Sequence, residues 1–118
     1  MKQYTSNNQA AKLIELGFEK PKNTQYIQRA KARNLHSPFI EFGEPEFEGS
    51  YSIGELLSLL PISFETDNDD TSWLEIEAGA VWSVAYSSFG FIDYDCERKE
   101  LIDALFDMIV TLKKKEII

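Results

Sequence analysis

Apolar residues recur at helical spacing at both ends of this 118-residue chain and alternate with polar ones in much of the middle. Near the N-terminus Ala10, Leu13, Ile14 and Leu16 lie broadly on one side of a helix that Thr5 or Ser6 can cap. Gly17 predicts its stop, because glycine adopts the left-handed conformation without a Cβ penalty and lets Phe18 fold back onto Leu13. Pro21 prevents continuation. Residues 22–37 fit a short helix or a strand around Tyr26–Ile27 equally well. From Pro38 to Gly49 the order Phe39-Ile40-Glu41-Phe42, then Glu44-Pro45-Glu46-Phe47-Glu48, alternates in strand fashion, but Pro45 cannot donate to a ladder, so an edge strand or extended loop is expected.

Ser52 and Glu55 stand at capping-box spacing, with Tyr51 and Leu56 placed for a hydrophobic staple, and predict a second helix through Leu56, Leu57, Leu59 and Leu60 that Pro61 closes. Ile62 to Glu65 reads as a short strand, and Thr66 to Ser72, with three aspartates, as an acidic loop. Trp73-Leu74-Glu75-Ile76-Glu77 alternates again, and Ala80 to Tyr86 forms a strand whose core face carries Trp82, Val84 and Tyr86. After a turn at Ser87 to Gly90, Phe91 to Tyr94 is extended. Asp95 is then the expected cap of the longest helix, 96 to about 115, with Leu101, Leu105, Met108 and Leu112 in its apolar stripe. Lys113, Lys114 and Lys115 favour the negative pole of that helix.

These elements predict an α+β fold: a small antiparallel, meander-like sheet of about three to four strands with two to three helices packed on one face. One domain over 1–118 is expected, with residues 1–5 and 116–118 frayed. Cys96 is the only cysteine, so neither an intramolecular disulfide nor a cysteine-based zinc site can form. No apolar run is long enough for a signal peptide or a membrane span, and a cytoplasmic location is expected.

Charge adds the main functional constraint. Residues 1–40 carry a net +5, residues 41–107 a net −15 from seventeen carboxylates against Arg98 and Lys99, and residues 108–118 a net +2, within a total of −8. A strongly acidic middle repels phosphate, so binding to nucleic acid or to an anionic membrane is not expected. The basic stretch containing Lys20, Lys22, Arg29, Lys31 and Arg33, with Tyr26 interleaved, superficially suggests a nucleic-acid binder. Neutralisation of the chain's own carboxylates accounts for it better.

Candidate chemistry is sparse. Cys96, placed in the first turn of the last helix, would gain acidity there, but Asp93, Asp95 and Glu97 oppose a thiolate, and His36 is the only histidine available as a base. The run Asp67-Asn68-Asp69-Asp70-Thr71-Ser72 offers hard oxygens for a cation, yet Ser72 stands where a calcium loop needs glycine and Ala78 where it needs glutamate. Glu75 with Glu77, or Asp93 with Asp95, has the i, i+2 spacing of an acid–base pair, as any acidic strand does. Phosphate loops, dinucleotide glycine patterns, zinc-protease helices and nucleophile elbows are all missing.

Leu13-Ile14-Glu15-Leu16-Gly17-Phe18, Tyr51 to Leu57 with Leu60-Pro61, Trp82 to Tyr86 and Glu100 to Ile109 resemble blocks in small uncharacterised bacterial proteins of prophages and other mobile elements. That resemblance implies a mobile-element setting and no activity, ligand or catalytic residue. The expected function is non-enzymatic: an interaction, inhibitor or accessory protein that meets a basic protein through Glu44, Glu46, Glu48, Asp67, Asp69, Asp70, Glu75 and Glu77, with no cofactor. The alternatives are an enzyme using a carboxylate cluster, which requires a pocket lined by at least two of Glu75, Glu77, Asp93, Asp95 and Cys96, and a homo-oligomer built through the face bearing Val81, Ser83 and Ala85.

Overall fold

A computed structural model describes residues 1–19 and 50–118. Within them the elements run α1 (Asn7–Glu15), α2 (Ile53–Leu59), β1 (Ser63–Glu65), β2 (Thr71–Ala78), β3 (Trp82–Ser88), β4 (Phe91–Arg98) and α3 (Leu101–Lys114). The readings of 22–37 and 38–49, with Glu44, Glu46, Glu48 and His36, lie outside the described residues.

Local chemistry sets both short helices. Ser6 Oγ accepts from the Gln9 N–H at 3.2 Å while Gln9 Oε1 accepts from the Ser6 N–H at 2.9 Å, so Ser6 rather than Thr5 caps α1. The helix stops as expected: Gly17 has φ +100°, its N–H donates to the Ile14 carbonyl at 3.0 Å, and the Phe18 N–H donates to the Leu13 carbonyl at 3.1 Å. In α2 the same box recurs, with the Glu55 N–H donating to Ser52 Oγ and the Ser52 N–H to Glu55 Oε1, both at 3.2 Å.

The four strands form an antiparallel meander in the order β1-β2-β3-β4. Register places Leu74 opposite Tyr86 and Ile76 opposite Val84, then Tyr86 opposite Tyr94 and Val84 opposite Cys96. Because side chains alternate along a strand, all of these share one face. On that face α3 packs, burying Leu101, Ile102, Ala104, Leu105, Met108, Ile109 and Leu112; α2 lies against α3, and Ala10 and Leu13 of α1 complete the core. Tyr86 is fully buried, sets its ring 5.0 Å from that of Phe64 at a tilt of 52°, and donates its hydroxyl to the Pro61 carbonyl at 2.7 Å. Burial pushes this phenol up to about 12.

Three expectations are corrected. Residues 95–98 are strand, not helix, so Asp95 caps nothing and Cys96 is not at a helix N-terminus. The reason is the period-two pattern itself: Tyr94 and Cys96 turn inward opposite Tyr86 and Val84, which a ladder with β3 satisfies. Helix α3 therefore starts at Leu101, and its N-cap residue Glu100 makes no side-chain cap bond but accepts from the Lys2 N–H at 2.9 Å. Thr71 and Ser72, read as the tail of the acidic loop, begin β2; Ser72 is fully buried.

Strand β3 is displaced to Trp82–Ser88, because the Ala78–Trp82 pair closes a turn over 79–81 in which the Gly79 N–H donates to the Val81 carbonyl. Near the ends, Tyr4 bridges to Ser52, the Thr5 N–H donates to the Tyr51 carbonyl at 2.9 Å, and the Ile117 N–H donates to the Leu112 carbonyl. Asp103 gathers Lys2 at 3.0 Å and Gln9 at 2.7 Å, fastening the N-terminal segment to α3.

Candidate interaction face

Helices cover one side of the sheet; among the described residues, nothing packs on the other. Strand β2 presents Trp73, Glu75 and Glu77 there, and β4 presents Ile92, Asp95 and Glu97. Between them runs β3 with only small side chains, Ser83, Ala85 and Ser87. Three rows cross the sheet: Glu77–Ser83–Glu97, Glu75–Ala85–Asp95 and Trp73–Ser87–Ile92. The result is a shallow trough whose walls, two strand spacings or roughly 9–10 Å apart, are acidic along most of their length and apolar at one end.

The trough's hydroxyls orient its carboxylates. Ser83 Oγ donates to Asp95 Oδ1 at 2.9 Å and Ser87 Oγ to Glu75 Oε2 at 3.5 Å, while on the neighbouring edge Thr71 Oγ1 donates to Glu65 Oε1 at 3.0 Å. No cation answers them within the sheet's own sequence, for residues 62–97 hold nine carboxylates and no Lys, Arg or His. Arg98, next along β4, faces the helices instead and pairs with Asp107 at 2.8 Å and Asp103 at 3.8 Å. A cationic side chain resting on the Ala85 floor would lie about 5 Å from either wall, well inside the ~8 Å screening length.

Sequence-predicted candidates divide accordingly. Glu75 and Glu77 lie on this face, and Asp67, Asp69 and Asp70 are exposed on the β1–β2 loop, where Asp69 has φ +63°. Trp73, Asp95 and Glu97 belong to the face as well and were not among the expected interaction residues. The signal for Trp73 was present in its parity with Glu75 and Glu77; that for Asp95 and Glu97 was hidden by assigning them to a helix. Ser83 and Ala85 floor the trough, while Val81 precedes β3.

The enzyme alternative required a pocket shared by at least two of five groups. A cleft of about 400 Å³ lies between the β1–β2 loop and the end of α3, lined by Glu65, Asp67, Asp93, Tyr94 and Lys115 among others. Asp93 is the only one of the five there, and its Oδ2 already accepts from Ser72 at 2.6 Å and Ser88 at 2.9 Å. Cys96 sits on the opposite face from Glu75, Glu77 and Asp95; burial, then the charge of Asp107, pushes its thiol up, away from a nucleophilic thiolate. Among the described residues no group of three or more His, Cys, Asp or Glu side chains converges as a metal site would require, and no helix is long and apolar enough to cross a membrane.

Among the described residues, fold and face together define a small α+β fold with a helix-backed meander and an anionic sheet face that no element covers. No protein-family model matches the chain, and no curated protein or solved structure matches it either.

Proposed function

We propose that this chain is a non-enzymatic interaction protein that binds a basic protein surface through the open face of its sheet, acting as an inhibitor or accessory factor. The observation that carries the reading is the trough: carboxylates on both walls, a floor of small side chains, and no cation between residues 62 and 97. Such a surface attracts Lys and Arg at long range and offers Trp73 and Ile92, 54% and 68% exposed, as apolar contacts at one end. The same field repels phosphate, which sets nucleic acid and anionic membranes aside as partners.

Self-association through this face is disfavoured for the same reason, since it would bring Glu75 and Asp95 of one copy against acidic groups of another. The cytoplasmic setting and mobile-element context inferred from the sequence suit a small accessory protein and form part of this proposal. The test is association kinetics with a captured protein partner across a salt series. Association slows steeply as salt rises, and slows again in a Glu75→Gln/Glu77→Gln variant or an Asp67→Asn/Asp69→Asn/Asp70→Asn variant, with smaller changes in dissociation. An association rate indifferent to salt and to both variants, or micromolar binding to random duplex at physiological salt, would overturn the reading.

A further inference from the structure

The two edges of the sheet are unlike. Strand β1 is three residues long, a length that gives a docking strand little to pair with, whereas β4 runs for eight. Among the described residues β4 has one neighbour, β3, and no backbone group from Phe91 to Arg98 bonds outside that ladder. Its exposed side chains are sorted along its length. Phe91 and Ile92, 74% and 68% exposed, lie at the start, and Asp95 and Glu97 project from the open face further on. A register shift opposite Tyr86 and Ser87 separates the two groups.

We propose that the outer edge of β4 accepts an extended segment of a basic protein as a fifth strand, with Lys or Arg at alternate positions beside Asp95 and Glu97 and apolar residues beside Phe91 and Ile92. The proposal rests on the basic-partner reading above and adds the mode of binding. Main-chain hydrogen bonds along an open edge supply affinity, and alternate side chains supply selectivity. Opposite charges directly across neighbouring strands are favourable, and like charges are not. That rule also selects against a second copy of this chain: antiparallel pairing of two β4 strands centred on Asp95 sets Asp95 opposite Asp95 and Glu97 opposite Asp93.

Amide hydrogen exchange on the full chain tests the proposal. The probe is a synthetic peptide of alternating Lys and Val; the controls are alternating Glu and Val, and a peptide of the same Lys and Val content with the lysines in one block. Alternating Lys-Val peptide slows exchange of the outward amides of β4 by about tenfold, neither control does, and an Asp95→Lys/Glu97→Lys variant that keeps the free chain's exchange pattern elsewhere loses the effect. Slow exchange of those amides in the free chain would show the edge already occupied and overturn the proposal, as would equal protection by the block peptide. Spectral shifts confined to the trough, without protection of β4, would overturn strand addition while leaving the basic-partner reading standing; absence of binding by either lysine peptide would count against both.

Discussion

Leu105→Ala removes a side chain that is fully enclosed between α3 and the sheet, at the middle of the stripe formed by Leu101, Leu105, Met108 and Leu112. The missing carbons forfeit their transfer free energy. The cavity costs more, because a helix pinned by Asp103 to Lys2 and Gln9 at one end and by the Ile117–Leu112 bond at the other has little freedom to collapse inward. The sum is about 3–5 kcal/mol, toward the upper part of the range for buried leucines. Urea denaturation followed by far-ultraviolet circular dichroism reads it as a lower midpoint at unchanged slope. Since such a loss approaches the whole stability of a marginal domain, Leu105→Met provides the companion measurement, with an expected loss under about 1.5 kcal/mol. A loss below about 1 kcal/mol for Leu105→Ala would place the stripe in solvent and refute the packing of α3 on the sheet.

Three further outcomes are expected. Ser52→Ala costs about 1 kcal/mol by opening the Ser52–Glu55 capping box, and an unchanged urea midpoint would contradict it. Phe89, 95% exposed at φ +40° beside Gly90 at φ +83°, occupies a two-residue hairpin turn that prefers asparagine, so Phe89→Asn raises stability by about 0.5–1 kcal/mol; a loss would mean that the ring is packed. For Asp103, burial pushes the carboxyl up, but hydrogen bonds from Gln9 and Lys2 and the charges of Lys2 and Arg98 outweigh it and hold it below its ordinary value of 3.8. Its contribution is therefore present above pH 3.8 and is lost as pH falls through the lower folded value, so wild type loses more stability than Asp103→Asn on acidification through that window; parallel pH curves would contradict the assignment.

Elements announced by local chemistry were legible in the sequence. The Ser52–Glu55 box, the Gly17–Phe18 stop and the alternation through Trp73 to Glu77 and Trp82 to Tyr86 each carry a mechanism confined to a few residues, and each stands where expected. The β4–α3 junction was not legible. Asp95 ahead of an amphipathic stripe looks like a helix cap, while the real start at Leu101 lacks a side-chain cap because Glu100 is engaged by Lys2. Only the pairing of Tyr94 and Cys96 with β3 decides between the two periods, and pairing is a tertiary fact. The candidate face was half legible for the same reason. Parity groups Glu75 with Glu77 away from the core, but that β4 brings Asp95 and Glu97 alongside depends on the whole sheet.

The central claim is that the trough, rather than net charge spread over the surface, makes the contact. Charge reversal at matched cost separates the two. Glu75→Lys/Asp95→Lys reverses one carboxylate on each wall, and Glu15→Lys/Glu116→Lys makes the same change in net charge at exposed sites in α1 and just past α3. Measured as association rates with a captured partner at physiological salt, the account predicts a fall of about tenfold or more for the trough variant and a much smaller one for the control. Equal falls in the two variants, or no fall in either, would contradict it.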